Sequence, residues 1–304
     1  MPAAGPRFDR SFDPRHGEAV RLSDRITRVV AKNPGPFTFH GTNTFLIGSR
    51  DLAVIDPGPD DPAHVEALLA AIGRRRVSAI LVTHTHRDHS PAARALAAAT
   101  GARVYGEGPH RPARRLDLGE INPLDASGDH DFRPAVALTE GDLVGGEGWT
   151  LETLATPGHT PNHLCFSLRE EETLFTGDHV MGWSTSIVAP PDGSMVDYMA
   201  SLARLLDRPE GLFLPAHGNG IAEPDAFVEA LIRHRKGREK AVLDRLAAGD
   251  ETIPDMVRVI YAEVDRSLHG AAALSLLAHV EDLVGRGLVT SDGRVDLAAR
   301  YRTV

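Results

Sequence analysis

His84-Thr85-His86-Arg87-Asp88-His89 places four side chains able to bind a metal within six consecutive residues. The apolar run at residues 79–82 predicts a buried strand, and Ser90-Pro91 followed by residues 92–99 predicts a helix. The ligands therefore fall on a strand-to-helix turn, where a rigid scaffold carries functional loops. His84 and His86 are two apart, so extended backbone points both imidazoles to one side. Asp88 and His89 follow as the chain turns and can aim at a second point nearby. An imidazole pair for one ion and a mixed oxygen/nitrogen pair for its neighbour suit a two-metal hydrolytic centre. A solvated loop rarely gathers three histidines and an aspartate directly behind an apolar strand.

Three further candidates each follow a strand-like run. Residues 151–155 lead into Thr156-Pro157-Gly158-His159, residues 173–176 into Gly177-Asp178, and residues 212–214 into Pro215-Ala216-His217-Gly218. Glycine and proline flank each one, as tight turns around an ion require. Spacing alone leaves open which histidine serves which ion.

With these residues the chain resembles the metallo-β-lactamase-fold hydrolases. His84 to His89 match the HxHxDH signature, and TPGH, GD and PAHG follow in the family's order over roughly residues 25–225. The resemblance implies an α/β fold, a four-layer αββα sandwich with every ligand on loops at one edge. It implies two zinc ions, with iron or manganese as weaker alternatives. One zinc would take His84, His86 and His159, the other Asp88, His89 and His217, and Asp178 would bridge them. Asp88 and Asp178 would be the catalytic carboxylates beside a metal-bridging hydroxide. Asp56, in Val54-Ile55-Asp56-Pro57-Gly58, matches an aspartate that supports the metal loop without ligating. Asp178 stands where some antibiotic-hydrolysing relatives carry cysteine, and another class lacks the bridging aspartate, which points away from β-lactam hydrolysis. Redox relatives with two irons replace the second histidine of the signature by glutamate; His86 here favours zinc and hydrolysis.

The chain of 304 residues has room for one large domain and a small one. The expected division is a catalytic domain over 1–225 and a helical, winged-helix-like domain over 226–304. Helices are expected from Phe227 through residues 233–240, at 253–264 and at 271–286, with a hairpin over 287–296 around Asp292-Gly293. Upstream, a hairpin is expected from residues 44–47 and 52–55, and a helix over 62–72 with Pro62 in its first turn. Residues 107–135 lack periodicity and predict a long loop near the site, a candidate substrate lid. His110 and His130 within it are expected to be solvated. His40, Thr42 and Asn43 are candidates to line the cleft or stabilise a turn, and His163 to pack or hydrogen-bond beside the site.

A formal charge of −9 argues against a protein that coats nucleic acid by bulk electrostatics. From residue 226 onward twelve basic residues face twelve acidic ones, so the winged-helix-like tail has no net attraction for phosphate. Only the run 233–240 forms a basic cluster. The single cysteine, Cys165, excludes an intramolecular disulfide and fits a reducing compartment. No apolar stretch approaches the ~18 residues of a membrane span, and the opening residues mix arginine with acids, unlike a secretion or transit signal. A cytoplasmic location is expected.

The whole-chain resemblance is to the β-lactamase-like group with a short winged-helix-like tail, some of whose members act as single-strand endoribonucleases. The functional expectation is a zinc metallohydrolase. Its candidate substrates are single-stranded RNA or another phosphodiester, or a small-molecule ester, thioester or lactone. A non-enzymatic binding or regulatory module ranks third, because the ligand set is complete. The sequence offers no general acid for the leaving group and leaves the oligomeric state open.

Overall fold

The computed structural model describes residues 5–304. A first mixed sheet contains β1 (Val20–Arg21), β2 (Ile26–Val30), β3 (Asn43–Ile47), β4 (Asp51–Ile55), β5 (Arg76–Leu81), β6 (Arg103–Gly106) and β7 (Val136–Ala137) in that spatial order. β1 to β4 pair antiparallel, and β4 to β7 pair parallel. The second sheet holds β8 (Leu143–Gly146), β9 (Trp149–Ala155), β10 (Leu164–Leu168), β11 (Thr173–Gly177) and β12 (Leu212–Pro215), adjacent in sequence order.

Strand periodicity explains the layers. Phe45, Ile47, Ala53 and Ile55 point into the core between the sheets, where they meet Trp149, Phe166 and Phe175. Their neighbours Leu46, Leu52 and Val54 point the opposite way. There they pack against Leu68 and Ile72 of α1 (Pro62–Ile72) and Leu96 of α2 (Ala92–Thr100). Burial on both faces is why these strands read as continuous apolar runs. The outer face of the second sheet is covered by Tyr198 and Leu202 of α3 (Met195–Arg204) and by Val228 and Leu231 of α4 (Pro224–Ala247). The result is the expected four-layer αββα sandwich.

The C-terminal unit adds α5 (Ile253–Ile260), α6 (His269–Gly285) and the pair β13 (Val289–Ser291) and β14 (Tyr301–Thr303). Val242 of α4, Met256, Leu276 and Tyr301 share its core. One continuous helix, α4, thus runs through residues 225 and 226 and serves both cores, its first half in one and its second half in the other. The hairpin differs from expectation: the second strand lies at Tyr301–Thr303, not before residue 296. Asp296 accepts the amide hydrogens of Ala298 and Ala299, and Asp292 that of Arg300, which folds these residues into a capped loop. α5 stops at Ile260, short of 264, with Tyr261 at its end. No helix among the described residues is long and apolar enough to cross a membrane.

Two histidines are built into these cores. His64 and His279 are 3% and 2% exposed. Burial pulls the first to about 4 and the second to about 3, with Arg235 adding to the second. In the unfolded chain both regain an ordinary value, so between pH 6.5 and 4 the unfolded state binds protons that the folded state refuses. Stability is therefore present above pH 6.5 and lost as pH falls, by about 1.4 kcal/mol per pH unit for each group. Unfolding free energies from urea titrations of wild type and His279→Leu between pH 7 and 4.5 should diverge in slope by that amount; parallel curves would contradict it.

Candidate metal centre

All seven sequence-derived candidates converge where the two sheets end. β5 delivers His84 and His86 on the turn that follows it, with Asp88 and His89 completing the turn before α2. β9, β11 and β12 deliver His159, Asp178 and His217 on the loops after them. Three overlapping groupings result: His84 with His86 and His159, Asp88 with His89 and His217, and His84 with His89 and Asp178. His84 Nε2 lies 2.9 Å and His159 Nε2 3.1 Å from His86 Nδ1. His217 Nε2 and His89 Nε2 each lie 3.2 Å from Asp88 Oδ2. Asp178 stands between the groups. Its Oδ2 is 3.7 Å from His159 Nε2, while its Oδ1 is 3.3 Å from His217 Nε2 and 3.7 Å from His89 Nε2.

Four of the five imidazoles are held so that their Nε2 lone pairs point inward, whereas His86 turns Nδ1 to the cluster and its Nε2 has no hydrogen-bond partner among the described residues. His159 Nδ1–H donates to Ile187 O at 2.5 Å and His217 Nδ1–H to Gly41 O at 3.1 Å. Thr83 Oγ1 donates to Asp56 Oδ2, so it accepts from His84 Nδ1–H at 3.1 Å. Asp56 Oδ2 also accepts from His89 Nδ1–H at 3.0 Å. An outer N–H tied to oxygen leaves Nε2 as a free donor pair, as metal-ligating histidines require. Buried His89 Nε2, His217 Nε2 and Asp178 Oδ1 have no hydrogen-bond partner among the described residues. Orphaned buried polar atoms are costly unless something else satisfies them. Five imidazoles and two carboxylates converging in this way fit a pair of divalent cations.

The charges divide along the same line. Burial, with the neighbouring rings, pulls His84 well below its ordinary value and His86 to about 3, so both are neutral. Burial also opposes charge on the other two, but carboxylates outweigh it. Asp88 and Asp178 hold His89 well above its ordinary value, and Asp178 with Asp88 raises His217 to about 10. Against burial, the same histidines keep Asp88 and Asp178 well below the carboxylate range. A cation entering the Asp88 side displaces protons, whereas the three-histidine side presents two rings already neutral.

The supporting shell mixes expected and unexpected residues. Asp56 braces the signature turn through Thr83 and His89 and belongs to none of the metal-sized groupings. Thr42 and Asn43 are buried, not cleft-lining: Asn43 Nδ2 donates to Pro215 O and Gly218 O, clamping the His217 loop, and Thr42 Oγ1 lies 3.5 Å from Asp88 Oδ2. The His40 ring packs at a tilt against Phe39, and its carbonyl lies 2.6 Å from His16 Nε2. His163 Nε2 accepts the Asp178 amide hydrogen, so its Nδ1–H is the proton donated to Thr156 Oγ1 at 2.8 Å. His130 is half exposed, as expected. His110 is not solvated. Its side chain is 2% exposed, 3.1 Å from Thr85 Oγ1 and 3.6 Å from Asp192 Oδ2, because the long loop folds back over the signature turn.

A cavity of about 550 Å³ opens over His86, Asp88, His159 and Asp178. Phe37 and Thr38 contribute from the loop after β2, and Leu124, Ala126 and Ser127 from the long loop. Met181 and Ile187 follow β11, and Ala271 and Leu274 come from α6. Among the described residues, Arg87 is the one cationic side chain of the lining.

The basic run is split between core and surface: Arg233, Lys236 and Lys240 are exposed, while Arg235 and Arg238 turn inward. Arg235 is 2% exposed and bonds Ser186 O and Ser275 Oγ. Arg238 donates to Ile260 O and lies over the Tyr261 ring, while Arg233 and Lys240 pair with Glu229 and Asp244. These contacts divide the run that the sequence presents as one basic cluster.

The family model for the metallo-beta-lactamase superfamily matches residues 37–217. The chain belongs to that superfamily. A second model, the beta-lactamase associated winged helix domain, matches residues 252–298 of this superfamily member. The chain is 32% identical over 280 residues to the beta-lactamase-like protein 2 homolog of Drosophila melanogaster, covering 88% of this chain and 90% of that one. It is 30% identical over 259 residues to the atrochrysone carboxyl ACP thioesterase of Claviceps purpurea, covering 82% of this chain and 76% of that one. A solved metallo-beta-lactamase family protein from Thermus thermophilus superposes with a TM-score of 0.76 at 26% identity, covering 93% of this chain and 100% of that chain.

Proposed function

We propose that this superfamily member is a dinuclear metallohydrolase, with zinc the ion that best suits its imidazole-rich ligand set, acting on carboxylic thioesters. The carrying observation is the cavity: apart from the ligand cluster, Arg87, Thr38 and Ser127, its wall is apolar. Such a wall suits an acyl group and gives a polyanionic strand one cation to meet. The resemblance to a named thioesterase supports the same reading.

Bound in the cluster, two divalent ions supply an activated water at neutral pH and a Lewis acid for the carbonyl oxygen. The remaining work belongs to the chain. Asp88 Oδ2 faces His89 and His217, which leaves Oδ1 to orient the attacking water and take its proton. The leaving group decides between ester and thioester. Among the described residues, no carboxylic acid, histidine or lysine outside the ligand set lines the cavity, so a departing alkoxide would lack a proton donor. A thiolate, whose conjugate acid has a pKa of about 8.5, leaves without one. The apolar wall aligns the acyl group and excludes water from it.

The test is a parallel assay of matched thioesters, oxygen esters, a chromogenic phosphodiester and single-stranded RNA. Thioester turnover at least ~100-fold above the matched ester is the expected result, the margin a positioned general acid typically supplies. RNA or phosphodiester cleavage without thioester turnover overturns the reading in favour of a nuclease.

A further inference from the structure

Ala271 and Leu274 belong to the C-terminal unit, yet they line the cavity beside His86 and His159. They lie three apart on α6 and so share one helix face. Ile187 completes the neighbouring wall. A single buried guanidinium ties these walls together. Arg235 of α4 donates through Nη1 to Ser275 Oγ at 3.2 Å and through Nη2 to Ser186 O. Ser275 follows Leu274 in the chain, and Ser186 precedes Ile187. Arg235 is 2% exposed and has no carboxylate within ion-pair distance among the described residues; its charge rests on these two bonds and on the Tyr198 ring. A buried cation without a counter-ion is costly to keep, and its bonds fix one arrangement of the two walls.

We propose that the C-terminal unit sets substrate choice: Ala271 and Leu274 form the wall that limits acyl length in the thioester pocket, held in register by Arg235. This rests on the thioester reading. Each methylene buried against an apolar wall is worth about fourfold in binding until the wall is reached. A larger side chain at Ala271 therefore moves the limit to shorter acyl groups, and a smaller one at Leu274 moves it to longer ones.

The experiment measures kcat/KM for N-acetylcysteamine thioesters from acetyl to dodecanoyl. It compares wild type, Ala271→Phe and Leu274→Ala, together with calorimetric binding of decanoate. In Ala271→Phe the decanoyl-to-butyryl ratio should fall at least tenfold, and decanoate should bind correspondingly more weakly. In Leu274→Ala the length optimum should move upward by one or more methylenes. If Ala271→Phe fails to fold, the opposite shift in Leu274→Ala carries the test. Wild type without thioester turnover would overturn the parent reading. Turnover with the same length profile in every folded variant would overturn the α6 assignment alone.

Discussion

Asp178→Ala should lower turnover of the best substrate by about a thousandfold and reduce the bound metal from two ions per chain to one. The magnitude follows from the several kcal/mol that metal ions supply to a developing charge. The direction follows from position. Asp178 is the one carboxylate with an oxygen toward each histidine group, Oδ2 toward His159 and Oδ1 toward His89 and His217. It is also pre-placed, since its amide hydrogen is anchored on His163. Alanine keeps that backbone bond, so the variant should fold, and the loss isolates the carboxylate. Asp88 and Asp178 supply the two carboxylate charges of the cluster; removing one would leave a pair of divalent cations with less to offset their repulsion. Elemental analysis of purified protein and steady-state rates together decide it. Two retained metals with near-normal turnover would show that Asp178 does not bridge.

The ligand set was legible in the sequence because each donor follows a strand-like run closely, so that strand, turn and ligand form one local pattern. HTHRDH needs only the alternation of extended backbone to aim His84 and His86 together. The environment of His110 had no such signal. Its burial depends on Asp192 and on the fold of the long loop over Thr85, contacts between segments far apart in sequence. Arg235 is a different case, since a signal existed. Val228, Leu231, Arg235, Val242 and Leu246 fall on the buried side of α4, so helical periodicity places Arg235 among core residues while a count of local charge places it in a basic patch. The cavity wall from α6 was beyond reach, because no local pattern reports that residues 271 and 274 return to the metal ligands at 86 and 159. The same docking explains why one helix serves two cores: α4 had to carry Arg235 to the loop that orients His159 through Ile187 O.

Asp56→Asn and Asp56→Ala should separate what holds the fold from what prepares the metal site. Asp56 is 2% exposed and accepts three hydrogens, from the Thr83 amide at 2.8 Å, from Thr83 Oγ1 at 2.7 Å and from His89 Nδ1 at 3.0 Å. Its backbone sits at φ +49°, a conformation that asparagine tolerates better than alanine. Alanine strands three buried donors, at about 1–3 kcal/mol each, so it should lower both stability and metal affinity. Asparagine keeps the shape and can still accept from the Thr83 amide through Oδ1. Its amide group then faces His89 Nδ1 as a donor, which favours the tautomer with the proton on Nε2. That proton occupies the lone pair aimed at the ion, beside Asp88 and His217. Affinity for the second metal should fall by about 10–100-fold, the usual loss when a ligand's supporting carboxylate is removed. Stability should drop less than in the alanine variant, and the three-histidine side should still load. Chelator competition resolves the two metal affinities, and urea denaturation gives the stability. Full affinity at both sites in Asp56→Asn would show that this carboxylate sets structure without setting the His89 tautomer.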